Sequence, residues 1–203
     1  MRLRAALVGA LIACAAGCGA PLSDDALADK GVYVLPVPKT LPSFALEDHT
    51  GARFDNASLD GKWTFVFFGF TSCPDICPTS LAQMGRAETE LLDIGGEVAD
   101  APFQGVLVSV DLERDGPEQL AAYMSAFSPR FLGVNGALTH IGRLADALGV
   151  KFGRVPDGNG GFTIEHSGTI AVLGPDGAQR AFIKLPHTAE TIRLTYQALA
   201  ARL

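Results

Sequence analysis

Two cysteines and the histidines that could join them carry the reactive chemistry of this 203-residue chain. The stretch GFTSCPDICPTS, residues 69–80, places Cys73 and Cys77 four apart, each followed by proline, directly after a hydrophobic run. A thiolate attacks disulfides and also ligates soft metals, so one such pair serves either redox exchange or metal binding. A structural crosslink over so short a loop would add little chain-entropy stabilisation. Cys-x-x-Cys is the usual redox spacing, and one further residue opens the loop so that both sulfurs can turn toward one ion. Spacing alone leaves redox and metal chemistry open. A third ligand would separate them.

The folded part of the chain offers four histidines. His49 sits in the turn DHTG and reads as solvated, His140 lies inside a helical pattern, and His187 stands near the cap of the last helix. His166, in TIEHSGTIAVLGPDG, comes just before a buried strand. In a thioredoxin-like sandwich that loop would lie beside the N-terminus of the helix bearing the cysteines. Two thiolates and an imidazole suit Cu(I), and Cu(II) with an added ligand. The plainer reading is that His166 merely finishes a loop. Asp75, between the cysteines, would raise their pKa by repulsion or point into water.

These residues need elements to position them. KWTFVFFGF reads as a strand buried on both faces, and it delivers the chain straight into the cysteine loop. Residues 78–93 follow as a helix, with Leu81, Met84, Leu91 and Leu92 on its apolar side and Pro78 in its first turn. A helix N-terminus at Cys77 would favour its thiolate. SFALEDHTGARFD predicts a β-hairpin, and GVLVSVDLE (105–113) a second buried strand. Residues 116–127 and 138–150 predict helices, the latter closing at Gly149. GTIAVLGPDGAQRAFIKL predicts two strands joined at the Gly-Pro-Asp-Gly turn, and the terminal stretch an amphipathic helix. The expectation is an α/β sandwich: a central mixed sheet flanked by helices, with an N-terminal β-hairpin extension.

The first residues belong to export. Met1-Arg2-Leu3-Arg4 is a basic start, and Ala5 to Ala16 an apolar run too short to span a bilayer comfortably. Cys14, with Leu11 three positions before it, and Cys18, with the longer apolar run and an Ala-Gly approach, each resemble the cysteine of a bacterial lipobox, which becomes lipidated. An ordinary secretory signal with incidental cysteines is the alternative. Residues 1–18 are thus read as a signal peptide with lipobox, 19–40 as a flexible Pro- and Asp-punctuated tether, and 41–203 as one domain. Losing Arg2 and Arg4 with the signal takes the net charge from −6 to −8. Such a balance argues against nucleic-acid binding.

Three motifs in order, FGFTSCPDICP (68–78), VDLERD (110–115) and EHSGTIAVLGPDG (165–177), resemble the Sco/SenC family of thioredoxin-fold copper proteins. The resemblance runs over roughly residues 42–200. It implies copper, Cu(I) or Cu(II), held by Cys73, Cys77 and His166. It further implies delivery of that copper to the Cu(A) centre of cytochrome c oxidase, or reduction of that centre's cysteines by a Cys73/Cys77 redox pair. The implied partners are the oxidase's copper-bearing subunit and other periplasmic copper chaperones or thiol reductases. The implied location is the bacterial cell envelope, lipid-anchored with the domain outside the cytoplasm. Leu112 stands where the family commonly has proline, Glu165 where it has aspartate, and Ser167-Gly168 where bulkier residues are frequent. Asp111, Glu113 and Asp115 read as a partner-facing acidic run or a solvated loop.

Overall fold

The computed structural model describes residues 21–96, 102–158 and 160–203. Residues 1–18, read above as a signal, lie outside the described residues, and Cys14 and Cys18 with them. The frame is an eight-stranded sheet built around β4 (Trp63–Gly69), in which every residue is buried. Its alternating side chains feed two cores. Trp63, Phe65 and Phe67 join one, and Val66 and Phe68 the other. A strand this uniformly apolar is stable only with both faces covered, which is why the sheet must be sandwiched.

One face is covered by α2 (Ile76–Asp93), α3 (Pro117–Ser125) and α5 (Ala189–Ala200), which contribute Leu81, Met84, Leu120, Met124, Ile192 and Tyr196 to the first core. The other is covered by α4 (Leu138–Leu148) and by the hairpin of β2 (Ala45–Asp48) and β3 (Arg53–Asp55). β4 pairs in parallel with β5 (Phe103–Ser109), which pairs in parallel with β6 (Leu132–Asn135). On its other side β4 pairs antiparallel with β9 (Ile170–Leu173), and β9 with β10 (Gln179–Ile183). The hairpin extends the sheet beyond β6 through Glu47 and Asp48. A separate two-stranded ribbon, β7 (Phe152–Pro156) with β8 (Phe162–His166), leads into β9. The expected mixed-sheet sandwich is the observed one. α4 closes as predicted at Gly149, whose φ of 72° is open to glycine at little cost.

Three local expectations change. Leu92 is half exposed rather than on the buried side of α2. β5 ends at Ser109, so Asp111 lies beyond the strand. Residues 24–39, read as tether, are ordered structure: α1 (Asp24–Ala28) and β1 (Val32–Lys39), which pairs antiparallel with β10. Ser23 caps α1 by accepting from the Ala26 amide, and Leu27 and Val32 are fully buried. Pro36 and Pro38 hid the strand from sequence reasoning. Proline cannot donate to a ladder, yet it is tolerated on an edge strand, and here it falls within the register shift between Val34 and Lys39.

The burial of Leu27 makes the correction measurable. Leu27→Ala is expected to cost about 2–5 kcal/mol in urea denaturation. A residue of a solvated tether would change stability by less than about 0.5 kcal/mol.

Candidate metal centre

Parallel pairing sets the site. Gly69 at the end of β4 lies opposite Ser109 at the end of β5, so the loops that follow both strands emerge side by side. The Asp115 carboxylate, fully buried in the second loop, accepts from the Thr71 amide (3.0 Å), the Thr71 hydroxyl (2.6 Å) and the Ser109 hydroxyl (2.7 Å). These bonds hold the first loop in place just ahead of Cys73, whose amide donates to the Phe70 carbonyl. Asp111 is likewise buried and ion-paired to Arg114. Glu113 is exposed and reaches Arg154 of β7 at 2.6 Å. The acidic run is therefore neither a free docking face nor a solvated loop, because two of its three carboxylates are spent inside the protein.

The same contacts steady the ribbon that carries His166. The guanidinium groups of Arg114 and Arg154 lie 5.0 and 4.2 Å from the centre of the Phe162 ring on β8. His166 ends β8, paired in register with Phe152. Its ring meets Phe67 and Phe70 edge to face, at centroid distances of 5.6 and 5.9 Å. Its Nδ1 lies 3.3 Å from the Ser167 carbonyl, which can only accept, so Nδ1 carries the proton and Nε2 presents a lone pair. That lone pair faces Cys77 Sγ at 3.3 Å.

Cys73, Cys77 and His166 converge, their ligand atoms all within 4.8 Å of one another. Both cysteines are free thiols, Cys73 half-buried and Cys77 buried in the first turn of α2. Asp75 precedes the helix and is exposed. Gly69 lies beneath Cys77: a Cβ there would come within 2.7 Å of the sulfur. Burial, then the hydrogen bond with Cys73, raises the Cys77 pKa well above the ordinary thiol value, and the Phe70 backbone offsets only part of that. Desolvation thus outweighs the helix N-terminus expected to favour the thiolate. Burial lowers the pKa of His166, so its lone pair stays available.

The remaining histidines stand outside the ligand set. His49 Nδ1 accepts from the Gly133 amide at 3.1 Å and so is not simply solvated, and His140 Nδ1 accepts from Ala45 at 3.3 Å. His187, expected near a cap, is buried behind the site, while Thr188 caps α5. Two residues near the thiols escaped sequence reasoning. Asp115 reads as one charge in an acidic run, and Tyr123 as one aromatic on a helix. The buried Tyr123 hydroxyl has no hydrogen-bond partner among the described residues, and burial followed by the Cys77 and Cys73 charges raises its pKa.

The donor set fits copper. Two thiolates and one imidazole form a soft, low-coordination group of the kind Cu(I) prefers. The site also sets the pH dependence of stability. Because the folded state holds the Cys77 proton more tightly, its contribution is full below the ordinary thiol value of 9.0 and is lost as pH rises above it. Urea denaturation of the reduced, metal-free protein from about pH 8 to about pH 10 should show falling stability, with a shallower fall in Cys77→Ala. Equal slopes would place that thiol in water. On the acid side, burial lowers His166 and His187, so their contribution is full above 6.5 and drains as pH falls below it.

Comparison with known proteins agrees with this geometry. The SCO1/SenC family model matches residues 36–201. A Stutzerimonas stutzeri protein, provisionally named as copper-binding, is 37% identical over 180 residues, spanning 87% of this chain and 86% of its own. The human mitochondrial SCO2 homolog is 34% identical over 150 residues, covering 73% of this chain and 55% of the relative, about half its length. The crystal structure of Arabidopsis thaliana ScoI with copper bound superposes with a TM-score of 0.72 at 27% identity, covering 80% of this chain and 98% of that one. With the fold, the three motifs and the family match in agreement, the chain belongs to the SCO1/SenC family.

Proposed function

We propose that this chain is a copper-delivery protein of the bacterial cell envelope, with Cys73, Cys77 and His166 as the ligands. The observation that carries the reading is the convergence of two sulfurs and a proton-free imidazole nitrogen within 4.8 Å. Names among its relatives support copper as the cargo: the Stutzerimonas protein is described as copper-binding, and the Arabidopsis neighbour holds copper. The recipient we infer, from the Sco/SenC resemblance, is the copper-bearing subunit of cytochrome c oxidase at its Cu(A) site. Delivery proceeds by ligand exchange, the recipient's thiolates replacing these three ligands one at a time. Attachment through a lipid on Cys18 or Cys14 would keep the domain beside a membrane-bound recipient. No helix among the described residues is long and apolar enough to cross a membrane.

A second reading has its own support. The two sulfurs are both free thiols and lie within 4.8 Å of each other, so oxidation to a disulfide would release two electrons to a partner disulfide. Thiol–disulfide exchange with the recipient's cysteines would then precede or replace copper delivery. His166 has no obligatory part in that chemistry.

Titration of the reduced protein with Cu(I), in competition with a chromophoric chelator, tests the first reading. One equivalent should bind. Cys73→Ser and Cys77→Ser should abolish high-affinity binding, and His166→Ala should weaken it by more than about tenfold, the lower end of what outer-shell changes cost. Unchanged affinity in His166→Ala, together with turnover on a disulfide substrate, would favour the second reading. Gly69→Ala should also weaken copper binding, because its Cβ would press on the Cys77 sulfur.

A further inference from the structure

A second histidine, one the ligand set does not use, sits behind the metal centre. His187 lies between β10 and α5 with only 6% of its surface exposed. Its Nδ1 is 2.8 Å from the hydroxyl of Ser80, three residues beyond Cys77 on α2. Its Nε2 is 3.4 Å from the Ile183 carbonyl at the end of β10. A carbonyl only accepts, so Nε2 carries the proton and Nδ1 accepts from the Ser80 hydroxyl. One rigid ring therefore joins the helix that bears Cys77 to the end of β10, and the loop that follows His166 meets the same assembly where Leu185 packs on Gly168.

That loop is gripped from its other side by the ribbon. The Ser167 amide donates to the Lys151 carbonyl at 2.8 Å, and the Lys151 amide to the Ser167 hydroxyl at 2.9 Å. These bonds fix the loop to the start of β7, whereas those of His187 tie α2 to β10 on its other side. Leu185 closes over the same spot, so near that a Cβ on Gly168 would meet its Cδ1 at 2.5 Å. The Phe67 ring meets His187 as it meets His166, edge to face, at 6.0 Å.

We propose that His187 is a positioning residue for the copper site, a brace that ties the Cys77 helix to the end of β10 through Ser80 and the Ile183 carbonyl and so fixes Phe67 and Leu185, against which His166 and its loop are seated. The proposal rests on the copper reading above. Outer partners of metal ligands typically set affinity by 10–100-fold, by fixing the orientation in which the ligand is presented. A brace of this kind acts only through His166, and that separates it from ordinary packing.

The test is Cu(I) affinity of the full chain, by chelator competition, for His187→Phe and His187→Gln, each with His166 intact and with His166→Ala. His187→Phe should lose about tenfold with His166 present and nothing further without it. His187→Gln, whose amide offers both a donor and an acceptor, should recover most of the loss. Far-UV circular dichroism establishes that each variant is folded. If His187→Phe does not fold, Ser80→Ala removes one bond of the brace and carries the same comparison. An equal loss in both His166 backgrounds, or no loss in either, overturns the proposal. Unchanged affinity in His166→Ala alone overturns the copper reading, and the brace with it.

Discussion

The carboxylate of Asp115 accepts three hydrogen bonds out of contact with water, and this buried anion decides where the cysteine loop leaves the sheet. An ionised group in such a place is stable only when its acceptor capacity is used, and each charge-assisted bond contributes about 1.5–3 kcal/mol. Two of the donors come from Thr71, two residues before Cys73, and the third from Ser109 at the end of β5. The parallel pairing of β4 and β5 brings these groups level, and clefts beyond the carboxyl ends of parallel strands are where such sheets place ligands. The carbonyl of the same residue also accepts from Asn135 at the end of β6, so three successive strand ends are stitched together.

Burial shapes the chemistry as much as position does. The Cys77 sulfur is sealed by Gly69, by the His166 ring and by the first turn of α2. A thiol so placed keeps its proton near neutrality, which suppresses uncatalysed nucleophilic attack. A soft cation reverses this, because coordination removes the proton and supplies the positive charge that the surroundings lack. The imidazole is ready without any such change. Desolvation acts on the two donors in opposite senses, disfavouring the charged form of each, and leaves one protonated sulfur facing one open lone pair.

Much of this was legible before any coordinates. The aromatic strand, the cysteine loop, the hairpin and the Gly-Pro-Asp-Gly turn announce themselves through composition and spacing, and the three motifs placed His166 beside the thiols. What escaped was fixed by long-range contacts. β6 is only four residues long, and the two five-residue strands of the β7–β8 ribbon bury a single residue, Ile164, so neither carries the long apolar run that marks a strand in sequence. The burial of Asp115 depends on donors 6 and 44 residues away. His187 looked like a helix-start residue because its partner Ser80 lies 107 positions earlier. Local sequence reports what a residue prefers, and these residues are governed by what they meet.

The proline-interrupted strand β1 has a meaning for the molecule's company. It is one outer margin of the eight-stranded sheet, and the three-residue β3, folded over by a 3-10 turn at Asn56–Leu59, is the other. An open margin with a full row of amide and carbonyl groups recruits further strands from neighbouring chains. Here Pro36 and Pro38 remove two donors from one margin, and the other is too short to template anything. The sheet is finished at both ends, and copies of this protein held at high local density would find no ladder to extend.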